Sequence, residues 1–568
     1  MYKAVQYTII PTDPASSSSE TLRTMRTDKA IGTSETSEVL VPAVEDPEPK
    51  ATFFVYMLVI CVCIGGFLFG YDTGGKVFSP AKPVMLIDLE LVISGALQPL
   101  QNDFHLSNVQ KELVVGGTTF GAIFGGFSAG LLSDKIGRKL LVIVSSVIFI
   151  AGALLLALAP NFAVLLVGRL VVGLGVGMAS MIVPVYVSEL SPKHIRGRLT
   201  TLNTLVITFG QVIAYVMNIA FANVHDGWRY MFGIAGIPAL LQFIIMPFLP
   251  ESPRRLIVIG KVDQAKTTLR KIYGSSVSDK FIDKEVSVIQ EEIDVSRSSS
   301  FKDFLHRDNL KPLIIACVLQ AAQQFSGFNT AMYYAATILH MAGFRDNSNS
   351  TSVAIIVALT NMVFTAIAVS VIDRAGRRRM LIVTMLTMIA GLIALGATFA
   401  AQQGFIPAQP SCSAYASHCS RCVLDERCGW SASQDTCILS TGHEDDIYQS
   451  PTGCPPRGND SAITGILLTS LIVYVASYAL GLGYAPWLIQ SEIFSMSLRG
   501  KANGISTAVN WICNLIISTT FLSMSDAMTT AGTFWFYAGL SFIFWVLVFF
   551  LVPETARKSL EEVNASFK

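Results

Sequence analysis

Amide side chains occur within long apolar stretches of this 568-residue chain, where polar groups are uncommon, and six of them are candidates for a binding site. A primary amide both donates and accepts hydrogen bonds without carrying charge, so it suits a ligand that is a ring of hydroxyls. The other interpretation is hydrogen bonding between neighbouring membrane helices, which amides also provide. The six residues are Gln211, Gln323, Gln324, Asn329, Asn361 and Asn510.

A tryptophan accompanies these amides at a position where a helix should bend. Trp487 follows Gly481, Gly483 and Pro486, and this spacing predicts a kinked helix that presents an indole to a cavity. Trp511 stands directly beside Asn510. Core packing, or a place in the aromatic belt at a membrane surface, would explain both tryptophans without a ligand.

The elements that must position these residues are membrane helices. The chain is 52% hydrophobic and 14% charged, against about 25% charged residues in soluble domains. Twelve apolar runs have the length of a bilayer-spanning helix and are too evenly apolar for barrel strands. The sequence therefore predicts an all-α membrane protein with spans at 53–74, 112–132, 140–159, 162–187, 200–222, 229–249, 312–340, 352–372, 380–402, 462–490, 502–524 and 533–552.

The short loops predict an orientation. Basic residues cluster after the second, fourth, eighth and tenth runs, all on one side, which the positive-inside rule makes cytoplasmic together with both termini. Two glycosylation triplets, at Asn349 and Asn459, fall on the opposite side. Six cysteines occupy one loop of that side, where disulfides are permitted. They are Cys412, Cys419, Cys422, Cys428, Cys437 and Cys454.

Motifs that occur twice divide the chain into two halves. Residues 133–139 return as 372–379, Glu189 is echoed by Glu492, and Glu251 is echoed by Glu554. The last two pairs are both 303 residues apart, whereas Asp134 and Asp373 are 239 apart. The difference of 64 residues predicts an insertion in the cysteine-rich loop at 403–460. Duplicated membrane halves are typical of transporters with alternating access.

A second interruption lies next to the end of the first apolar run. The offset between Asp72 and the corresponding Asn329 is 257, which implies about 18 extra residues in the first half. Residues 75–91 contain Lys76 and Pro80 where the helix should continue. We interpret the segment as an insertion, either a real loop or a retained intron in the gene model.

These boundaries predict five regions. Residues 1–52 form a disordered cytoplasmic tail, because they are polar and lack apolar periodicity. An N-terminal six-helix bundle at 53–252 is followed by cytoplasmic linker helices at 253–311. A C-terminal six-helix bundle at 312–552 contains the extracellular insertion, and 553–568 form a second cytoplasmic tail.

The repeated motifs resemble those of the sugar porter family of the major facilitator superfamily over about residues 53–560. The resemblance rests on residues 130–138, Gly168-Arg169, residues 250–254, residues 323–327, residues 373–378, Pro486-Trp487 and residues 553–555. It implies two six-helix bundles around a central polyol site. The cysteine loop looks like part of a plexin–semaphorin–integrin module, and its position is similar to that in proton-coupled myo-inositol cotransporters.

The resemblance assigns roles to the residues above. The six amides and Trp487 match polyol-contact positions. Asp72 and Arg169 match the proton site of the proton-coupled members, in which protonation of the carboxylate removes an ion pair and changes the balance between outward and inward states. A static structural ion pair is the other interpretation of these two charges.

A further set of charged residues could form salt bridges between the two halves and hold the outward-facing state. Each exposed pair would contribute about 0–1 kcal/mol, which suits a contact that breaks in every cycle. Positive-inside topology alone would explain the basic members but not the repeated acidic ones. The set is Asp134, Arg138, Glu189, Arg198, Arg254, Asp373, Arg377, Glu492, Arg499 and Glu554.

We therefore expect a proton-coupled symporter of myo-inositol or a hexose, working as a monomer in the plasma membrane. A facilitative hexose uniporter and a non-transporting sugar sensor are the alternatives. An enzyme is disfavoured because no nucleophile–base or metal-ligand spacing occurs. The proton is the coupling ion, no cofactor or metal is expected, and the net charge of +1 gives no reason to expect a nucleic-acid partner.

Overall fold

The computed structural model describes most of the helical part of the chain. The described residues are 7–9, 40–42, 52–73, 108–192, 195–221, 224–274, 277–295, 304, 306–333, 347–403, 412, 422, 428–431, 434, 436–439, 447–448, 460–494 and 498–555. The prediction of an insertion at 75–91 lies outside these residues, as do Cys419, Cys454 and Asn459.

The first half contributes six membrane helices, which we number α1 to α6. They are α1 (Phe53–Thr73), α2 (Asn108–Ile136), α3 (Arg138–Ala157), α4 (Phe162–Leu190), α5 (Arg196–Phe221) and α6, which has two segments (Gly227–Ile234 and Gly236–Ile245). Asn161 caps the start of α4, because its side chain accepts a hydrogen bond from the amide of Val164.

The second half contributes α7 to α12. They are α7 (Arg307–Phe325 and Phe328–Tyr333), α8 (Asn347–Ala375), α9 (Arg377–Gln403) and α10 (Asp460–Leu480 and Ala485–Ile493). The last two occupy the continuous stretch Arg499–Leu551, which turns at Thr529, where φ is 69°. Residues 499–528 are α11 and residues 530–551 are α12.

Each of the twelve predicted spans therefore contains a described helix, and the predicted fold class is confirmed. Among the described residues, nine helices are long and apolar enough to cross a membrane. The other three are α2, α7 and α11, and polar residues recur along each of them. Polar helices of this kind are expected where a helix faces other protein rather than lipid.

Helices α7 and α10 are both broken near their middle. Gly327 interrupts α7 with a φ of 75°, a conformation that suits glycine. A Cβ atom there would lie 2.5 Å from the ring of Tyr537. In α10, the amides of Gly481 and Gly483 both donate to the carbonyl of Tyr478. These breaks leave backbone carbonyls in the protein interior without helical partners, where side chains can reach them.

Three short helices, Pro253–Val258, Val262–Tyr273 and Asp279–Val295, connect the halves. Ala265, Leu269 and Ile272 are buried in the same apolar cluster as residues of α1 and α4. On the exposed side, Lys266 and Asp283 lie 2.6 Å apart, and the hydrogen bond to Asp283 raises the pKa of Lys266. The linker therefore packs against the first half, as its amphipathic pattern predicts.

The cysteine-rich loop contains a three-stranded antiparallel sheet. Its central strand is Cys428–Ser431, flanked by Thr436–Leu439 and Ile447–Tyr448. Disulfides join Cys412 to Cys428 and Cys422 to Cys437, and Trp430 is buried between them. So small a sheet has little core of its own, and the disulfides supply the missing stability.

Residues 1–50 form a separate unit. Within it, Tyr7–Ile9 pairs antiparallel with Leu40–Pro42. The sequence predicts a disordered tail at residues 1–52, and this stays a prediction, because only these two strands of residues 1–50 are described. Both contain β-branched residues, which favour extended backbone.

Candidate functional site

Two of the predicted amides join the halves to each other. Asn361 of α8 donates from Nδ2 to Oε1 of Gln211 in α5, at 3.1 Å, and both residues are buried. A nearby contact also crosses between the halves, because the hydroxyl of Tyr215 donates to the carbonyl of Met332. The sequence predicts Gln211 and Asn361 as site residues, and the structure places them side by side.

Gln323 is held in the break of α10. Its Nε2 donates to the carbonyls of Leu482 and Gly483, at 3.0 Å each. Its Oε1 accepts from Nε1 of Trp487 at 3.1 Å and from Nδ2 of Asn510 at 2.9 Å. The glycines before Trp487 therefore do more than bend the helix, since the break provides the acceptors that orient Gln323.

Gln324 extends the same group along α7. Its Nε2 donates to Oδ1 of Asn510 at 3.1 Å, and its Oε1 accepts from Nδ2 of Asn329 at 2.7 Å. Four predicted amides and Trp487 thus form one connected cluster in the second half. Such a cluster can recognise the hydroxyls of a neutral ligand, with the indole available to cover a C–H face.

Two buried glutamines of this cluster were not predicted. Gln320 lies one helical turn before Gln323 and donates to Oε1 of Gln490 in α10, at 2.5 Å. Its own Oε1 accepts from Nδ2 of Asn510 at 2.7 Å. The spacing of three residues between Gln320 and Gln323 was a usable signal, because residues three apart share a helix face.

A small cavity lies between the cluster and the first half. Its lining includes Gly65, Phe69, Ser180, Asn203, Thr204 and Trp487. Oδ1 of Asn203 is buried without a hydrogen-bond partner among the described residues. Asn203 and Thr204 were also not predicted, although Asn203 precedes Gln211 by eight residues and so lies near the same face of α5.

Trp511 closes one side of this region. Its Nε1 donates to the hydroxyl of Ser180 at 3.1 Å, and its ring packs edge-on against Phe69, with centroids 5.3 Å apart. Both partners belong to the first half. Trp511 is therefore a packed contact between the halves next to the cavity.

The two membrane-embedded charges form an ion pair. Nη1 of Arg169 in α4 lies 2.7 Å from Oδ1 of Asp72 in the last turn of α1. Nε of the same arginine donates to the carbonyl of Val114 in α2, at 3.2 Å. The side chains are only 4% and 10% exposed. A carboxylate that can lose its charge beside a permanent cation is suited to coupling protonation with a rearrangement.

The repeated charged motifs form two similar networks, one in each half. Arg138 pairs with Asp134 at 3.3 Å and with Glu189 at 3.0 Å. In the second half, Arg377 pairs with Glu492 at 3.4 Å. Arg254 is buried at the start of the first linker helix, and Arg198 lies in the first turn of α5.

Glu251 and Glu554 have a different role from the one predicted. Glu251 accepts hydrogen bonds from the backbone amides of Arg138 and Lys139, at the start of α3. Glu554 accepts from the backbone amides of Arg377 and Arg378, at the start of α9. Each is therefore a helix cap within its own half, where a carboxylate also interacts favourably with the helix dipole.

For most of the set, salt bridging between the halves stays a prediction. The described ion pairs of Arg138 and Arg377 each join residues of the same half. The spacing of charged residues in the sequence does not identify their partners, so the sequence alone could not show this. Arg499 and Glu189 do face each other across the halves, 4.0 Å apart. A Cβ atom on Gly500 would lie 2.5 Å from Oδ2 of Asp134. The side chains of Asp373 and Asn349 lie outside the described part of the chain.

Helices α2 and α11 form the seam between the halves at this level. A Cβ atom on Gly130 would lie 2.5 Å from the Cα of Gly504, and one on Gly126 would lie 2.7 Å from the methyl group of Thr507. The backbones therefore meet directly, as small residues allow in membrane helices.

Comparison with known proteins supports a common origin for this arrangement. The family model described as sugar (and other) transporter matches residues 58–416 and 448–567. The match omits residues 417–447, which lie within the predicted insertion.

Two of the similar proteins are inositol carriers by name. Myo-inositol transporter 1 of Cryptococcus neoformans is 38% identical, over 95% of this chain and 85% of its own length. The proton myo-inositol cotransporter of Homo sapiens is 36% identical, over 90% of this chain and 82% of its own length.

The fold resembles that of a solved proton:xylose symporter, XylE, bound to 6-bromo-6-deoxy-D-glucose. That structure is 27% identical, has a TM-score of 0.72 and covers 91% of this chain and 99% of its own. An inward open structure of XylE from E. coli, also 27% identical, gives 0.60 over 90% of this chain and all of its own. The described conformation is thus more similar to the ligand-bound one.

Proposed function

Because the chain belongs to the sugar transporter family, we propose that it is a proton-coupled symporter of myo-inositol or a hexose. The buried ion pair between Asp72 and Arg169 carries this proposal. A carrier that only equilibrates its solute has no need of a carboxylate buried beside a permanent cation. The proton-coupled transport named for the human relative and for XylE supports the same conclusion.

The solute occupies the region between the amide cluster and the cavity. Gln211, Gln324, Asn329 and Asn361 provide hydrogen bonds to its hydroxyls, while Trp487 covers an apolar face of its ring. Gln323 and Asn510, whose NH2 hydrogens are bonded within the protein, hold the cluster in place beside it. A neutral polyol requires this combination, because a charged site would bind water and ions instead. No cofactor takes part, and the polyol class is the finest description of the substrate that the site supports.

Protonation of Asp72 drives the conformational cycle. The neutral carboxyl no longer attracts Arg169 electrostatically, so the arginine and the helices that carry it favour another arrangement. Binding of solute and binding of a proton then favour the same state, which couples their movements. The inner network, with Arg499 and Glu189 between the halves, has to separate before the solute leaves on that side.

We place both termini and the linker helices in the cytoplasm and the cysteine-rich loop outside. The basic residues at the inner ends of α2, α4, α8 and α10 support this orientation. The two disulfides of the loop agree with an oxidising compartment. The protein acts as a monomer in the plasma membrane, because one chain provides both halves of the site.

Transport by the purified protein in liposomes tests the proposal. An inward gradient of one pH unit is equivalent to about 1.4 kcal/mol, enough for about tenfold accumulation of solute at one proton per molecule. We expect labelled myo-inositol, or else labelled glucose, to accumulate under this gradient with the membrane potential clamped at zero. Equilibration without accumulation would identify a uniporter, and binding without flux would identify a sensor.

A further inference from the structure

The amides of the cluster form a hydrogen-bond chain that runs in one direction. Each amide group must turn its NH2 towards an acceptor and its oxygen towards a donor. One reversed amide would place two oxygens or two NH2 groups against each other. The direction of the whole hydrogen-bond chain is therefore set by any amide whose partners can only donate or only accept.

The first such member is Gln490. Its Nε2 lies 3.4 Å from the backbone carbonyl of Asn503, which can only accept, and 3.2 Å from the hydroxyl of Thr507. Its Oε1 must then face Gln320, which donates from Nε2. Oε1 of Gln320 consequently accepts from Asn510. Gln490 thus determines which atom of Asn510 faces α7.

The second such member is Gln323, which requires the same direction and shares the orientation of Asn510 with Gln320. Its Nε2 faces the carbonyls of Leu482 and Gly483, and its Oε1 faces the indole N–H of Trp487, which can only donate. That oxygen therefore also requires a donor from Asn510. Both hydrogens of the Asn510 amide are then used, one on Gln320 and one on Gln323.

The consequence reaches the far end of the chain. Oδ1 of Asn510 accepts from Gln324, so Oε1 of Gln324 accepts from Nδ2 of Asn329. Asn329 is the last amide of the chain and is only partly buried. Its NH2 donates one hydrogen back to Gln324, and its carbonyl oxygen lies outside that contact, where it can accept from a ligand.

We propose that Gln320 and Gln490 are positioning residues that help Asn329 to present its carbonyl oxygen as a hydrogen-bond acceptor, to which the bound polyol donates a hydroxyl hydrogen. The inference rests on the proposed polyol site. It goes beyond that proposal because it assigns a direction to one contact and a role to two residues that do not touch the ligand.

Fluorinated analogues test this assignment. A fluorine in place of a hydroxyl retains a weak acceptor but cannot donate. We expect one ring position of myo-inositol at which the deoxy and the deoxyfluoro analogues bind equally poorly, each with a Kd about tenfold above that of the parent. The Kd values are measured by calorimetry on the purified full-length protein, so the result does not depend on proton coupling.

The variants Gln320→Leu and Gln490→Leu should weaken that discrimination. With one of them replaced, only Gln323 still orients the Asn510 amide, so Asn329 turns more readily and the ratio of fluoro to parent Kd should fall at least threefold. The double variant should behave like the stronger single variant, because both residues act through Asn510. Gln242→Leu is the matched control, since Gln242 is a buried amide bonded to Val62 and Ser146 elsewhere in the first half.

An unchanged ratio in both folded single variants would overturn the inference, as would a fluoro analogue that binds like the parent at every position. A change of the same size in the control variant would also overturn it, because the effect would then be general loosening. If the wild-type protein binds no polyol, the proposed function fails first. If it binds polyols but fails to accumulate them, the Kd ratios still decide the inference.

Discussion

The ion pair between Asp72 of α1 and Arg169 of α4 exists only while the carboxyl group of Asp72 is charged. Removing one partner of a buried pair typically costs about 3–5 kcal/mol, because the remaining charge is left in a poorly polar environment. Arg169 retains a backbone carbonyl as partner when Asp72 is neutral. This contact lowers the free-energy cost of losing the ion pair but does not replace its electrostatic attraction. We therefore expect protonation of Asp72 to change the relative stability of the arrangements of α1 and α4.

Asp72→Asn should separate binding from coupling. The amide has the shape of the protonated acid and cannot ionise, so we expect exchange of solute down its gradient to continue while pH-driven accumulation is lost. Uptake into liposomes with and without the pH gradient measures both. Asp279→Asn, which alters an exposed linker ion pair with Arg270, should accumulate solute normally. Accumulation by the Asp72 variant would refute the coupling role.

At the scale of helices, the repeated turn is a cap that occurs once in each half. Gly137 and Gly376 adopt φ values of 97° and 86°, which places the first amides of α3 and α9 around a carboxylate. A Cβ atom on either glycine would lie within 2.6 Å of the carboxylate of Glu251 or Glu554. The small residue and the distant acidic residue are therefore required together, which explains why both recur at matching positions.

Glu251→Ala and Glu554→Ala should destabilise the protein by similar amounts. Loss of a charged cap costs about 1 kcal/mol, and the two acids make equivalent contacts. Thermal unfolding of the purified variants in detergent measures the effect. Glu291→Ala, an exposed residue of the last linker helix, should melt like the wild type. A loss confined to one of the two capping variants would show that the repeats are not equivalent.

The sequence predicts the helices far better than the breaks within them. An apolar run of about 20 residues is seldom anything but a membrane helix, and each of the twelve runs contains a described helix. The break at Gly327 could not be predicted, because an isolated glycine is tolerated inside a helix. Its reason is tertiary, since the ring of Tyr537 occupies the space of a side chain. The break near Gly481 was predicted only because a proline and a second glycine follow it.

Similar reasoning applies to the site. Amides within apolar runs stand out, so Gln323 and Asn510 could be singled out from the sequence alone. The contacts among the amides could not be predicted, because partners such as Gln490 and Gln320 stand 170 residues apart in the chain. Charged motifs are still less informative, since a glutamate spaced correctly from an arginine can pair with it, cap a helix or face the other half. The structure shows all three arrangements.

At the scale of the whole molecule, the two halves meet backbone to backbone at Gly130 of α2 and Gly504 of α11. Gly126 and Gly130 allow α11 to approach, and the ion pair of Arg499 and Glu189 lies beside this contact. Close packing of rigid backbones gives a well-defined closed arrangement that a few broken contacts can release. Such a seam suits two halves that move against each other as units.

Gly130→Ala should hold this seam partly open. The added methyl group would overlap the backbone of Gly504, and overpacking of this kind costs about 1–3 kcal/mol. We expect transport to be roughly tenfold slower or worse, with a longer spin-label distance between the inner ends of α2 and α11. Gly539→Ala is the control, because no atom lies within 4 Å of a Cβ there. An unchanged spin-label distance would show that the backbones of α2 and α11 leave room for the added methyl group.

The cysteine-rich loop has a consequence for the biosynthesis of the protein. Its two disulfides interleave along the chain, because Cys422 lies between Cys412 and Cys428, and Cys428 lies between Cys422 and Cys437. In the proposed orientation, the interleaved pair can form only after residues 412–437 have all crossed the membrane, and α10 follows at Asp460. Oxidation of the loop would then record, in covalent form, that the ninth helix was inserted in the proposed direction.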